Sequence, residues 1–384
     1  MARNLLKSNN SFVAAESWGT GQTPVAWQGG GDFSIIQVVQ GVSLTAFGAS
    51  NSRENLTQIG TQDLVSQDLV RQPDVTFGIS YTPNWPLEND FLLASFHVPF
   101  TKYNQSTSFN YILDGKLGAS RNFYIFNCPT GGLDAFATPD FVKGDVPNLS
   151  GWDCISFGNC YCTSYSLTYG IGALPQVTTD FVGSNMQFDL VTGGAGTRVP
   201  SPAIDLTGGN QDHGRTFGGE IGMFNKNPVV FNPTDTGSSI TLQNLQMGGQ
   251  PISGLHFLQS VDLSIDFPRV TSYRLGSNYP CERKHLLPAQ GRFSFSSLVS
   301  GFETGNLTRG QLAPSSMAMP TEETYQFDLL LAASGKELSY RIEGARLESY
   351  SYSMAINDGM NFNGDFSFQV TESQGLSMSG SPPL

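Results

Sequence analysis

Residues 257–299 constrain the fold of this chain more than any other stretch. Val261, Leu263, Ile265 and Phe267 alternate with Ser260, Asp262, Ser264 and Asp266. A second run sets Phe293, Phe295 and Leu298 against Arg292, Ser294 and Ser296, less regularly at its end. A period of two sends successive side chains to opposite faces, so both runs predict half-buried β-strands, with Pro268 and Pro288 marking their edges. Between them YRLGSNYPCERKHLLP forms a charged hinge around the turn-forming Gly276-Ser277-Asn278.

A degraded copy of this pattern lies upstream. Gln40, Val42 and Leu44 fall opposite Gln259, Val261 and Leu263 at a shift of 219 residues. Phe77 and Ile79 fall opposite Phe293 and Phe295, and Gly60 opposite Gly276, at a shift of 216. Farther on, Ser164-Tyr165-Ser166 and Asp180-Phe181 meet Ser349-Tyr350-Ser351 and Asp365-Phe366 at a constant 185. Three matches in one order, with their alternation in phase, point to two versions of one β domain. Alternating strands also look alike without common ancestry, so the structural register is the relevant test.

The length of 384 residues accommodates two such domains. The expected organisation is an extended arm over 1–33, a first β domain over 34–190, an irregular Gly-rich linker or insertion over 191–254, a second β domain over 255–372, and a flexible tail over 373–384. Few windows place apolar residues at helical spacing, and Leu87–Phe96 reads as either a short helix or a strand. Mainly β is therefore the expected class, in two tandem β domains.

Charge narrows the function. Lys and Arg total 20 against 32 Asp and Glu, a formal net charge of −12. Gripping nucleic acid by phosphate neutralisation needs clustered Lys and Arg, which this chain lacks. An acidic surface past which nucleic acid slides remains compatible, as does simple solubility. The opening MARNLLKSNNSF has no apolar signal core, and no apolar run is long enough to span a membrane. Five cysteines without an export signal favour reduced thiols in a cytoplasmic setting.

Chemical motifs are sparse. None of His97, His213, His256 and His285 pairs with another at metal-ligand spacing. Cys154, Cys160 and Cys162, with Cys128 as a further candidate neighbour, come nearest to a metal cluster, but buried thiols in strand text account for them. Asp212-His213 lacks a nucleophile elbow, and the glycine clusters at 29–31 and 193–196 lack the Lys-Ser/Thr of a phosphate loop. The sequence thus implies no enzyme and no cofactor.

The second-copy text, a strand ending at Pro268, then YRLGSNYPCERK, a Phe/Ser strand, and LESYSYSMAINDGMNFNGDFSFQV, resembles the tail tube proteins of long-tailed phages. The resemblance covers roughly 255–370 and, more weakly, 36–190. It implies two tandem β-sandwich or barrel domains of tube type, with long β-hairpins and a minor flanking helix, stacked in rings whose strands line a DNA channel. A duplicated domain implies homotrimeric pseudo-hexamers assembled in the host cytoplasm into the virion tail. Partners would be further copies of the chain, other tail proteins, and DNA passing without specific binding, with no membrane. On this resemblance Asp262 and Asp266 are candidate lumen carboxylates, with Arg292 a departure from a uniformly acidic wall. Tyr273, Arg274, Arg283 and Lys284 would lie on a loop between rings. A tail adaptor or terminator, a baseplate component and a carbohydrate-binding β-sandwich are the alternative readings.

Overall fold

The computed structural model describes residues 11–16, 33–36, 39–46, 53–57, 64–69, 74–85, 110–111, 121–127, 152–190, 197–199, 215–217, 229–230, 238–247, 250–251, 258–273, 275, 279–280, 282–299, 324–334, 336–354, 360–371 and 373–380. These residues are nearly all strand, and no helix occurs among them. Leu87–Phe96 lies outside them. The fold is mainly β, and its dominant element is a large antiparallel sheet.

Eight strands form that sheet, in the order Val39–Ala46, Val75–Tyr81, Gln176–Gly183, Asp153–Gly170, Leu258–Asp266, Ala289–Val299, Met360–Val370 and Lys336–Met354. The fourth and eighth strands, of 18 and 19 residues, are long enough to serve two sheets each. The N-terminal half of Asp153–Gly170 leaves the large sheet to pair with Arg121–Asn127 and Asn185–Leu190. The N-terminal half of Lys336–Met354 pairs likewise with Tyr325–Ala333 and Leu376–Gly380. This branching gives the strand network the connectivity of a barrel while leaving the large sheet with two ends.

The pairings repeat along the chain. Val42 opposite Ile79 and Leu44 opposite Phe77 become Val261 opposite Phe295 and Leu263 opposite Phe293. Ser164 opposite Asp180 becomes Ser349 opposite Asp365. The irregularities recur too: the register slips between Val39 and Gly41 and again between Leu258 and Ser260. It also slips between Cys162 and Ser164 and again between Leu347 and Ser349. A β-bulge places one extra residue at a defined point of a ladder. Its recurrence at matched positions is evidence that alternation alone does not supply. The two halves are called the first and second repeat below.

Each repeat packs its part of the large sheet against its smaller sheet through aromatic side chains. Phe77 stacks on Phe157 at 4.4 Å and on Phe181 at 5.1 Å, with Phe123 edge-on at 5.2 Å. In the second repeat Phe293 meets Phe327 at 4.9 Å, and Phe327 meets Phe366 edge-on at 5.0 Å. All these rings are buried, and such pairs add to the burial of their large apolar area.

Three segments differ from expectation. Ser11–Glu16, expected within an extended arm, is a strand clamped between Phe33–Ile36 and Arg121–Asn127. Ser239–Met247, expected at most as an isolated strand (240–245) within an irregular linker, instead pairs along Tyr325–Ala333 and occupies the matching place in the second repeat. Leu376–Gly380, expected to be a flexible tail, pairs with Lys336–Met354 and buries Leu376 and Met378. In each case a neighbouring edge needs its backbone groups paired, and this outweighs weak local patterning.

Candidate assembly surface

The face of the large sheet turned away from the core is polar along its central rows, with Val182, Tyr161 and Leu298 as apolar or aromatic exceptions nearer its margins. One row of paired residues crosses all eight strands as Gly41, Ser80, Thr178, Ser166, Ser264, Arg292, Ser367 and Arg346. The next runs Ser43, Gly78, Asp180, Ser164, Asp266, Gln290 and Gln369. Strict alternation produces this face, because every core-directed Phe, Val, Ile or Leu commits its chain neighbours to the other side.

Asp262 and Asp266 both lie on this face and are exposed. Asp180 and Asp365 join them, each accepting a hydrogen bond at 2.7 Å from a serine hydroxyl, Ser164 and Ser349 respectively. Burial raises the Asp262 carboxyl above its ordinary pKa. Arg292 stands opposite Ser264 on the same face, so the surface is polar and acid-leaning rather than uniformly acidic. Asp180 and Asp365 were not singled out from sequence, although both belong to the repeated Asp-Phe pair that aligns the two copies.

The charged hinge is a hairpin, with Arg269–Ser272 paired to Glu282–His285. Lys284 is exposed on it and Tyr273 is half-buried; Arg274 lies outside the described residues. Arg283 departs from its expected place on an exposed loop. Its side chain is buried and forms an ion pair with Asp74 of the first repeat. A guanidinium with a carboxylate in reach satisfies its donors better inward than at the hairpin surface. Arg269 turns inward too. It donates to the Cys162 carbonyl at 3.0 Å and lies over the Tyr161 ring at 4.8 Å from its centroid. Burial lowers the pKa of this guanidinium. The foot of the hairpin therefore fastens the second repeat to the first, leaving its outer part, with Leu275 fully exposed, to meet anything else.

An open cleft of about 720 Å³ lies at that foot, lined by Asp74, Asp180, Asp266, Arg269 and Arg283. Both arginines are engaged in the contacts just described. Cys154, Cys160 and Cys162 are buried and form no disulfide, and burial pushes the Cys162 thiol up to about 12, which keeps it protonated. Among the described residues no group of three His, Cys, Asp or Glu side chains is placed to hold a metal ion.

Compared with models of protein families the chain matches none, and a search of curated proteins finds no match.

Proposed function

We propose that this chain is a virion structural protein that polymerises into stacked rings and forms a phage tail tube through which DNA passes. The observation that carries this reading is the large sheet: a wall of eight antiparallel strands whose face turned away from the core is mostly polar and acid-leaning among the described residues. Such a face suits the lumen of a conduit. Its Ser, Thr, Asn and Gln stay hydrated, and Asp180, Asp262, Asp266 and Asp365 repel phosphate rather than bind it. The Arg269–His285 hairpin projects from the wall and is a candidate contact between successive rings, through Tyr273 and Lys284. The ring expected is a homotrimer presenting six repeats.

A tail adaptor or terminator would use the same wall in a ring that does not stack. A carbohydrate-binding module needs an exposed aromatic platform; the two polar rows named above carry no aromatic residue, and Tyr161 on the same face is buried beneath Arg269.

Negative-stain microscopy of the purified protein, alone and with tail initiators, tests the reading. Regular tubules with a ring repeat are the expected result. Dispersed monomers under every condition would overturn it.

A further inference from the structure

The chain contains one join between repeats, and its two ends carry the halves of a second. Within the chain, the outer edge of Asp153–Gly170 pairs with Leu258–Asp266, setting Tyr165 opposite Ile265, Leu167 opposite Leu263 and Thr168 opposite Asp262. The matching edge in the second repeat is the C-terminal half of Lys336–Met354. The matching receiver in the first repeat is Val39–Ala46. Among the described residues the C-terminal half of Lys336–Met354 pairs on one side only, with Met360–Val370. Among the same residues Val39–Ala46 pairs only with Val75–Tyr81.

Side-chain exposure follows the same logic. At the internal join Val261 and Leu263 are each 1% exposed and Tyr165 is 2% exposed. Their counterparts at the chain's two ends are Val42, Leu44 and Tyr350, which are 37%, 42% and 47% exposed. These apolar side chains point toward the core side of the sheet, where a hydrated role does not explain them. Phe188 extends the pattern. It is 63% exposed, whereas its counterpart Met378 is 2% exposed and lies on a strand paired with Asn110 of the first repeat.

We infer that the occupant of these edges is a second copy of this chain, docked strand to strand in the register of the internal join. The matched positions set Tyr350 opposite Ala46, Ser351 opposite Thr45, Tyr352 opposite Leu44, Ser353 opposite Ser43 and Met354 opposite Val42. In this register Val42, Leu44 and Tyr350 all fall on the core side, and Ser353 meets Ser43 on the polar side. The contact is heterologous, because each copy offers one edge and receives on the other, so it propagates until a ring closes. Edge pairing supplies the affinity through backbone hydrogen bonds, and the burial of Val42, Leu44 and Tyr350 fixes the register. This goes beyond the tube reading, since a closed ring that never stacks would satisfy it.

Paired cysteines test the register. Ser43→Cys with Ser353→Cys should give covalent dimers and higher oligomers on mild oxidation, seen on non-reducing gels. Ser43→Cys with Ser351→Cys, two residues out of register, and each single variant should not. Leu44→Asp with Tyr350→Asp should give a folded monomer by circular dichroism and light scattering. Assembly without in-register cross-linking, equal cross-linking of the offset pair, a native protein monomeric at every concentration, or undiminished assembly of the Asp variant would each overturn the inference. Tubules lacking the in-register cross-link would sink the join and spare the tube. Cross-linked rings that never stack would do the reverse.

Discussion

At the scale of single residues, the two repeats solve the same packing problem with the large side chain on opposite strands. Val75 is paired with Gly183 in the first repeat, and the matched positions in the second hold Gly291 and Phe368. A Cβ on Gly291 would stand 2.3 Å from the Phe368 ring, so the glycine is required by the ring that lies over it. Gly291→Val should therefore destabilise by about 1–3 kcal/mol through overpacking. Phe368→Gly should destabilise by about 3–5 kcal/mol through the cavity it leaves. The double variant copies the first repeat's arrangement and should cost less than the sum of the two, by at least about 1 kcal/mol. Urea unfolding of the four proteins measures this coupling. Additive costs would mean that the two pairs are not equivalent.

At the scale of elements, the C-terminal strand gives the sharpest expectation. Leu376–Gly380 carries only two core residues, yet Leu376 and Met378 are both buried and five of its residues pair with Lys336–Met354. Leu376→Ala and Met378→Ala should each cost about 2–5 kcal/mol. Truncation after Thr371 should leave the second repeat unable to fold, detected by lost solubility or by collapse of hydrogen-exchange protection in Tyr325–Ala333. A stable, protected truncated chain would contradict this. The sequence conceals the strand because LSMSG is short, rich in Ser and Gly, and preceded by Gly375 at a φ of 97°, which reads as the start of a loose end. Ser11–Glu16 is hidden for a related reason: SFVAAE has little alternation and takes its strand form from the edges on both sides of it. By contrast, the large-sheet strands were legible because their alternation is long and one face is aromatic or branched. The offsets of 219, 216 and 185 residues read from sequence are those of the matched pairings. Asp262 and Asp266 were legible on the polar face for the same reason. Arg283 was not, because nothing local announces Asp74, which lies 209 residues away.

At the scale of the whole molecule, the join makes two repeats into one cooperative body. The Leu258–Asp266 strand continues the first repeat's sheet, and Phe267 donates its backbone N–H to the Thr163 carbonyl at 2.8 Å. Tyr165 and Tyr340, one from each repeat, share a buried hydroxyl–hydroxyl hydrogen bond of 3.0 Å, and Arg283 spans the same boundary to Asp74. Unfolding either repeat alone would expose this shared boundary and leave the buried Arg283 without its carboxylate, a cost of several kcal/mol. The four tryptophans, Trp18, Trp27, Trp85 and Trp152, all precede the second repeat, so their emission reports on the first half of the chain. Phe327→Ala removes a core ring from the second repeat and should cost about 3–5 kcal/mol. If the repeats unfold together, this substitution lowers the urea midpoint of tryptophan emission as much as that of far-ultraviolet circular dichroism. A tryptophan midpoint left at its native value, with the circular dichroism split into two steps, would mean that the join holds the repeats together without coupling their stability.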